Sequence, residues 1–176
     1  MLRLFTKWLK DENANAAIEA GLLFPVMVSM LLGMVDIGVG LLISQKVINS
    51  SHMISDLLAR QDDINNNEFN DSVVAGQLIL GPFSVASMGY DVAGVQYIGI
   101  NKTPTVQWRD TFNMSANTDI MLGAADLGAQ NEGVLAVTVR YVYTPIFSGI
   151  VSGDIIIQEE SYARGRRGLF VTRTRV

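Results

Sequence analysis

Cysteine is absent from the 176 residues, so no disulfide frames the fold and no thiolate holds a metal or acts as a nucleophile. Histidine occurs once, at position 52, which leaves no His pair for a metal site and no second imidazole for acid–base work. Basic residues are scarce through the long middle of the chain. Residues 47 to 163 hold 13 Asp and Glu against 4 Lys and Arg, a local balance of −9. A nucleic-acid binder needs a clustered basic face, so that class is excluded for this stretch. Long hydrophobic runs are also lacking, except for one.

That one run is Glu19 to Ser44, EAGLLFPVMVSMLLGMVDIGVGLLIS. Between Ala20 and Ile43 it carries a single charge, Asp36. About 24 residues at 1.5 Å rise make a helix of roughly 36 Å, enough to cross a hydrocarbon core of about 30 Å. A secretory signal has an apolar region of about 7–15 residues followed by a small-residue cleavage site, and this run is longer and continues into helix-compatible sequence. Arg3, Lys7 and Lys10 precede the run and Lys46 is the only immediate follower. The charge asymmetry predicts a single-pass membrane protein, its N-terminus cytoplasmic and its C-terminal part exported.

The expected organisation is a leader over 1–14, a transmembrane helix over 15–46, and an exported α+β domain over 47–176. Residues 1–14 read as an amphipathic leader with Phe5 and Trp8. Val47, Ser51, Ile54 and Leu58 recur at helical spacing, extending the first helix to about residue 60. The polar run Gln61 to Asp71 breaks it, and Asp71 is positioned to cap a second helix ending at Leu80, before Gly81-Pro82. Strands are expected over 91–100, 103–108, 134–143 and 154–162. In the third, Leu135, Val137, Val139, Tyr141 and Tyr143 share a face, and the fourth is its antiparallel partner. Residues 113–133 read as irregular. The expected fold class is α+β, with the long N-terminal helix packed on a small antiparallel sheet.

Asp36 is the anomaly within the run. A central acid costs about 2.5–3.5 kcal/mol on insertion scales and usually faces protein. On a helical wheel Gly21, Pro25, Ser29, Gly33, Asp36, Gly40 and Ser44 fall within one band of roughly 140°. Small and polar residues gathered on one side mark close helix–helix packing in membranes, and Leu32 is placed on the opposite, lipid-facing side. The alternative is that Asp36 lies at the outer headgroups as an interfacial residue. Pro25 removes the hydrogen bond to the carbonyl of Gly21 and loosens the helix near its start. Glu19 sits at the run's threshold, where a carboxylate in a helix's first turn is favoured by about 0.3–1 kcal/mol.

Other motifs carry less. Asp63 to Asn67 opens like a calcium loop, but its sixth position is Glu68 instead of Gly and its twelfth is Val74 instead of Glu, so a solvated break is the ordinary reading. His52 has no nucleophile or orienting acid placed near it by sequence. No phosphate loop or nucleophile elbow occurs, and neither an enzyme nor a cofactor or metal site is expected. The tail, Ala163 to Val176, holds five arginines and no acid. It is read as a solvated or edge-strand terminus, with Leu169, Phe170 and Val171 able to add a strand to the sheet and an anionic surface as the other use.

The run AAIEAGLLFPVMVSMLLGMVDIG, Ala16 to Gly38, resembles the N-terminus of TadE-like proteins, pilin relatives of the tight-adherence (Flp, type IVb) pilus system. Ala16, Ala17, Ile18, Glu19, Pro25, Asp36 and Gly38 carry the resemblance, and VTVRYVYTPI, Val137 to Ile146, looks like the family's closing strand. The chain departs from the pattern at Ala14, where the family usually has Gly, and at Ala20, where it has an aromatic residue. The resemblance implies a pilin-like fold and a prepilin peptidase cutting between Ala14 and Asn15. It also implies a salt bridge from Glu19 to a neighbouring subunit's amino terminus. The function it implies is a non-enzymatic pseudopilin or minor pilin, meeting pilin-like subunits and inner-membrane pilus assembly proteins. The rival is a permanently tethered exported binding module, such as an adhesin or receptor.

Overall fold

The computed structural model describes residues 12–147 and 153–175. Most of the leader, including Phe5, Trp8 and the three preceding cations, lies outside the described residues. Helix α1, Glu12–Leu58, is continuous through Pro25. The chain divides into two compact units, one of residues 1–39 and 144–153, the other of 40–143 and 154–176.

In the first unit the helix is apolar and exposed nearly all round: Leu22, Phe24, Met27, Met30, Leu31 and Met34 are each more than half exposed. Such a surface fits lipid or other protein far better than water. The helix is long and apolar enough to cross a membrane. Within the same unit, the turn after Tyr143 reaches back to Asp36.

The second unit is the α+β body. Strands β2 (Met88–Ile98), β3 (Thr103–Phe112), β4 (Gly133–Tyr143) and β5 (Ile155–Arg164) form one antiparallel sheet in the order β3-β2-β4-β5. The predicted pairing of β4 with β5 holds, with Val137 opposite Ser161 and Tyr143 opposite Ile155. β2 and β4 are central and buried on both faces, which explains their unbroken apolar runs. One face takes the second half of α1, where Ile43, Val47, Ile54 and Leu58 are fully buried. The hydroxyl of Ser161 donates to the Ser51 carbonyl at 2.8 Å, fixing β5 to the helix. Since Ser161 sits opposite Val137, the shared face of β4 predicted from sequence is the face turned to α1. The other face carries Ala93, Val95 and Ala136 under the short helix α3 (Ile120–Gly123).

Helix α2, Asn66–Ile79, starts earlier than expected and corrects the capping assignment. Asn65, not Asp71, is the cap: its side chain accepts from the N–H groups of Asn67 and Glu68, and Glu68 returns a bond to the Asn65 N–H. This reciprocal pair satisfies donors that a helix start otherwise leaves open. Gly76 lets α2 approach α1 closely, since a Cβ there would stand 2.6 Å from Ile54 and 2.9 Å from the Ser50 hydroxyl. Lys46, read as a flanking cation, donates to the carbonyls of Ile79 and Gly81 at 3.0 and 2.7 Å, where α2 ends. The stretch 113–133, read as irregular, contains α3.

The tail is docked as a short strand, which agrees with its edge-strand reading and corrects the solvated one. Thr172–Arg173 (β6) pairs in parallel with Asp63–Ile64 (β1) as a separate two-stranded sheet and does not extend the main one. Val171 is buried, and its carbonyl accepts from the Trp108 indole at 2.8 Å.

Candidate functional site

Asp36 is 2% exposed, although its immediate neighbours Val35 and Ile37 are both exposed. Its carboxylate accepts from two main-chain N–H groups, Ile146 at 2.8 Å and Phe147 at 3.0 Å, 110 and 111 residues away in sequence. Two successive N–H groups converging on one carboxylate form charge-assisted bonds to both of its oxygens. The turn that supplies them, Thr144 to Phe147, follows directly from β4. Pro145 is buried in it, whereas Ile146 is 62% exposed. The sequence marked Asp36 as anomalous, but it gave no sign of this partner, because main-chain donors carry no residue signature.

The other predicted positions divide along the helix. Glu19, Gly21, Pro25 and Ser29 are exposed, and among the described residues no atom outside the helix's own local backbone lies within 4 Å of where a Cβ on Gly21 would stand. Ser29 donates its hydroxyl to the Pro25 carbonyl at 2.8 Å, so its polarity is satisfied inside the helix. Gly33 is half-buried. In the second unit, Gly40 faces the Tyr143 ring, which would lie 3.9 Å from an added Cβ, and Ser44 is half-buried. Leu32, expected on the lipid side, is half-buried and corrects that expectation: it lies four residues before Asp36 and therefore on the same face. Ala14 and Asn15 fall within α1.

The remaining polar clusters have structural partners. Asp91, fully buried, accepts from Arg109 Nε at 2.7 Å, from a second Arg109 nitrogen, and from the Asn117 N–H at 2.7 Å. Asn117 donates onward to Thr138 at 3.1 Å and to Glu160, which also accepts the Tyr162 hydroxyl at 2.7 Å. Hydrogen bonding to Asp91 raises the Arg109 pKa, so the guanidinium stays charged. Burial, then the hydrogen bond to Glu160, pushes the Tyr162 phenol up, which keeps it a neutral donor. This network ties the irregular stretch 113–119 to the sheet.

An open cleft of about 430 Å³ lies beside β5, with His52, Glu160, Tyr162 and Arg164 among its lining residues. His52 is exposed, while the nearby Ser51 and Ser55 hydroxyls donate to main-chain carbonyls of their own helix. Asp63, first residue of the calcium-like run, accepts instead from the hydroxyls of Thr172 at 2.6 Å and Thr174 at 2.9 Å. Those two bonds hold its carboxyl below the usual carboxylate value of 3.8. Among the described residues no group of three His, Asp or Glu side chains is arranged to hold a metal ion.

The model of a family described as TadE-like protein matches residues 15–54, which include Glu19, the whole small-residue stripe and the helix beneath the sheet. Over that segment the chain is similar to this family. The family is tied to the Tad/Flp pilus systems and consists of pilus-associated structural proteins, generally non-enzymatic. No curated protein and no solved structure matches the chain.

Proposed function

We propose that this chain is a pseudopilin or minor pilin, a non-enzymatic subunit that takes part in assembling a tight-adherence pilus or secretion apparatus. In this reading α1 crosses the inner membrane once, with the leader cytoplasmic and the sheet-bearing body exported. The domain boundaries proposed from sequence, 1–14, 15–46 and 47–176, follow from that topology. Cleavage between Ala14 and Asn15 would free an amine that Glu19 of a neighbouring subunit can meet. Such a pair needs close geometry to offset desolvation, so it sets register more than strength. The partners are other pilin-like subunits, inner-membrane assembly proteins and, if the leader is cut, a prepilin peptidase.

The observation that carries the proposal is the split in the stripe. From Asp36 onward it is met by the chain's own residues. Gly21, Pro25 and Ser29, on the same side, are left open. With Glu19 and the half-buried Gly33 they offer a narrow, small-residue surface for another helix.

Two matched substitutions test this. Gly21→Leu adds bulk where no other part of the described residues stands within 4 Å, and Gly38→Leu does the same on the far side of the helix. Both raise hydrophobicity, so membrane insertion and protein level should hold. Gly21→Leu is expected to abolish subunit association and pilus formation, and Gly38→Leu to leave both intact. Full assembly by both variants would identify the helix as a plain tether and favour the exported binding module.

A further inference from the structure

We propose that the turn Thr144 to Phe147 is a membrane-inserted element that dips into the bilayer beside Asp36, with Ile146 facing lipid. The inference rests on α1 spanning the membrane. The helix carries exposed apolar side chains from Ile18 to Leu42, and on the spanning reading these are in contact with lipid. Asp36 stands six residues before the end of that run, about 9 Å of rise inside it. Whatever touches Asp36 is therefore below the level of Leu42, and the turn touches it through two hydrogen bonds.

Both partners have a problem at that depth, and each solves the other's. Irregular backbone is tolerated in the hydrocarbon region only where its polar groups are satisfied within protein or water. A lone carboxylate there is equally unfavourable. The N–H groups of Ile146 and Phe147 find acceptors in Asp36, and the Asp36 oxygens find donors in the turn. Composition agrees with the depth: Pro145 brings no N–H at all, while Ile146 is apolar and 62% exposed. The exposed side chains of Val35 and Ile37, flanking Asp36, continue the apolar surface from the helix. The fitting occupant is the acyl region just under the headgroups.

Because the natural chain has no cysteine, single cysteines give clean depth probes. The full-length protein is reconstituted in liposomes with an environment-sensitive label at Met30→Cys, Ile146→Cys or Ile100→Cys. Quenching by lipids bearing a nitroxide at a deep or a shallow acyl position is then compared. The expected result is deep quenching at 30, shallow quenching at 146 several-fold above that at 100, and little at 100. Adding Asp36→Leu should release the turn and bring position 146 down to the level of 100. Asp36→Asn, which retains one acceptor oxygen, should give an intermediate value. If position 30 is quenched but 146 matches 100, the inserted turn is wrong and the span stands. If position 30 is not quenched, the spanning helix fails and the inserted turn fails with it.

Discussion

At the scale of single residues, two buried acids are held by groups remote in sequence: Asp36 by the N–H groups of Ile146 and Phe147, and Asp91 by Arg109 and the Asn117 N–H. Asp36 was visible as a charge in an apolar run. Its partners include two backbone N–H groups in a turn more than a hundred positions away, and nothing in residue identity announces them. Asp91 and Arg109 were unremarkable in sequence, lying within and just beyond two expected strands. Folding buries the acid completely and brings the arginine across from the neighbouring strand. Arg109→Met leaves the Asp91 carboxylate buried without its cation, which should destabilise the protein by about 3–5 kcal/mol. Urea titration of the full-length protein in detergent, followed by circular dichroism, measures this. A loss under about 1 kcal/mol would mean that Asn117 alone satisfies the acid.

Asp63 gives the pH dependence. Its folded value lies below the unfolded value of 3.8, held down by the Thr172 and Thr174 hydroxyls. A lowered carboxylate value contributes stability that is present above the unfolded value and lost as pH falls through the folded one. Tail docking should thus be pH-independent above about pH 5 and weaken below about pH 4. The amide protection of Thr172 and Thr174, corrected for intrinsic exchange, reads this directly, since both N–H groups bond across β1. In Asp63→Ala the protection should be lower throughout and lose that acid step.

At the scale of elements, most of the secondary structure was legible because periodicity is a local signal. The long helix and the alternating strand β4 stand out, and β5 follows from the turn between them. The start of α2 was missed for an identifiable reason. Three consecutive asparagines resembled a solvated break, although Asn65 and Glu68 already stood at capping-box spacing. The docking of the tail is not legible in sequence, although a strand in it is, because its arginines pair with remote acids: Arg173 and Arg175 with Asp110, Arg166 with Asp56, Arg164 with Glu132. Such pairs explain how a basic tail and an acidic body belong to one unit, but they cannot be matched without the fold. The contact of α2 with α1 depends on Gly76. Gly76→Ala should cost about 1–3 kcal/mol through overpacking against Ile54 and Ser50. Asn65→Ala should cost about 1 kcal/mol through the lost cap. Thermal unfolding of the two variants checks both, and the ranking is reversed if Ile54 can move aside freely.

At the scale of the whole molecule, one helix serves two purposes: its first part is apolar with an exposed small-residue surface, and its later part, from Asp36 onward, is met by the chain's own residues. The central claim is that the open part of the stripe meets another helix in the membrane. Cysteine cross-linking tests it most directly, because the unmodified chain has no thiol. Gly21→Cys, Ser29→Cys and Gly38→Cys are each expressed with the rest of the apparatus, and membranes are treated with a membrane-permeant oxidant. Paired variants of candidate partner subunits carry the second thiol. Positions 21 and 29 are expected to form specific cross-linked species, and position 38 none. Equal cross-linking at all three positions, or at none of them in membranes that do assemble pili, would contradict the claim.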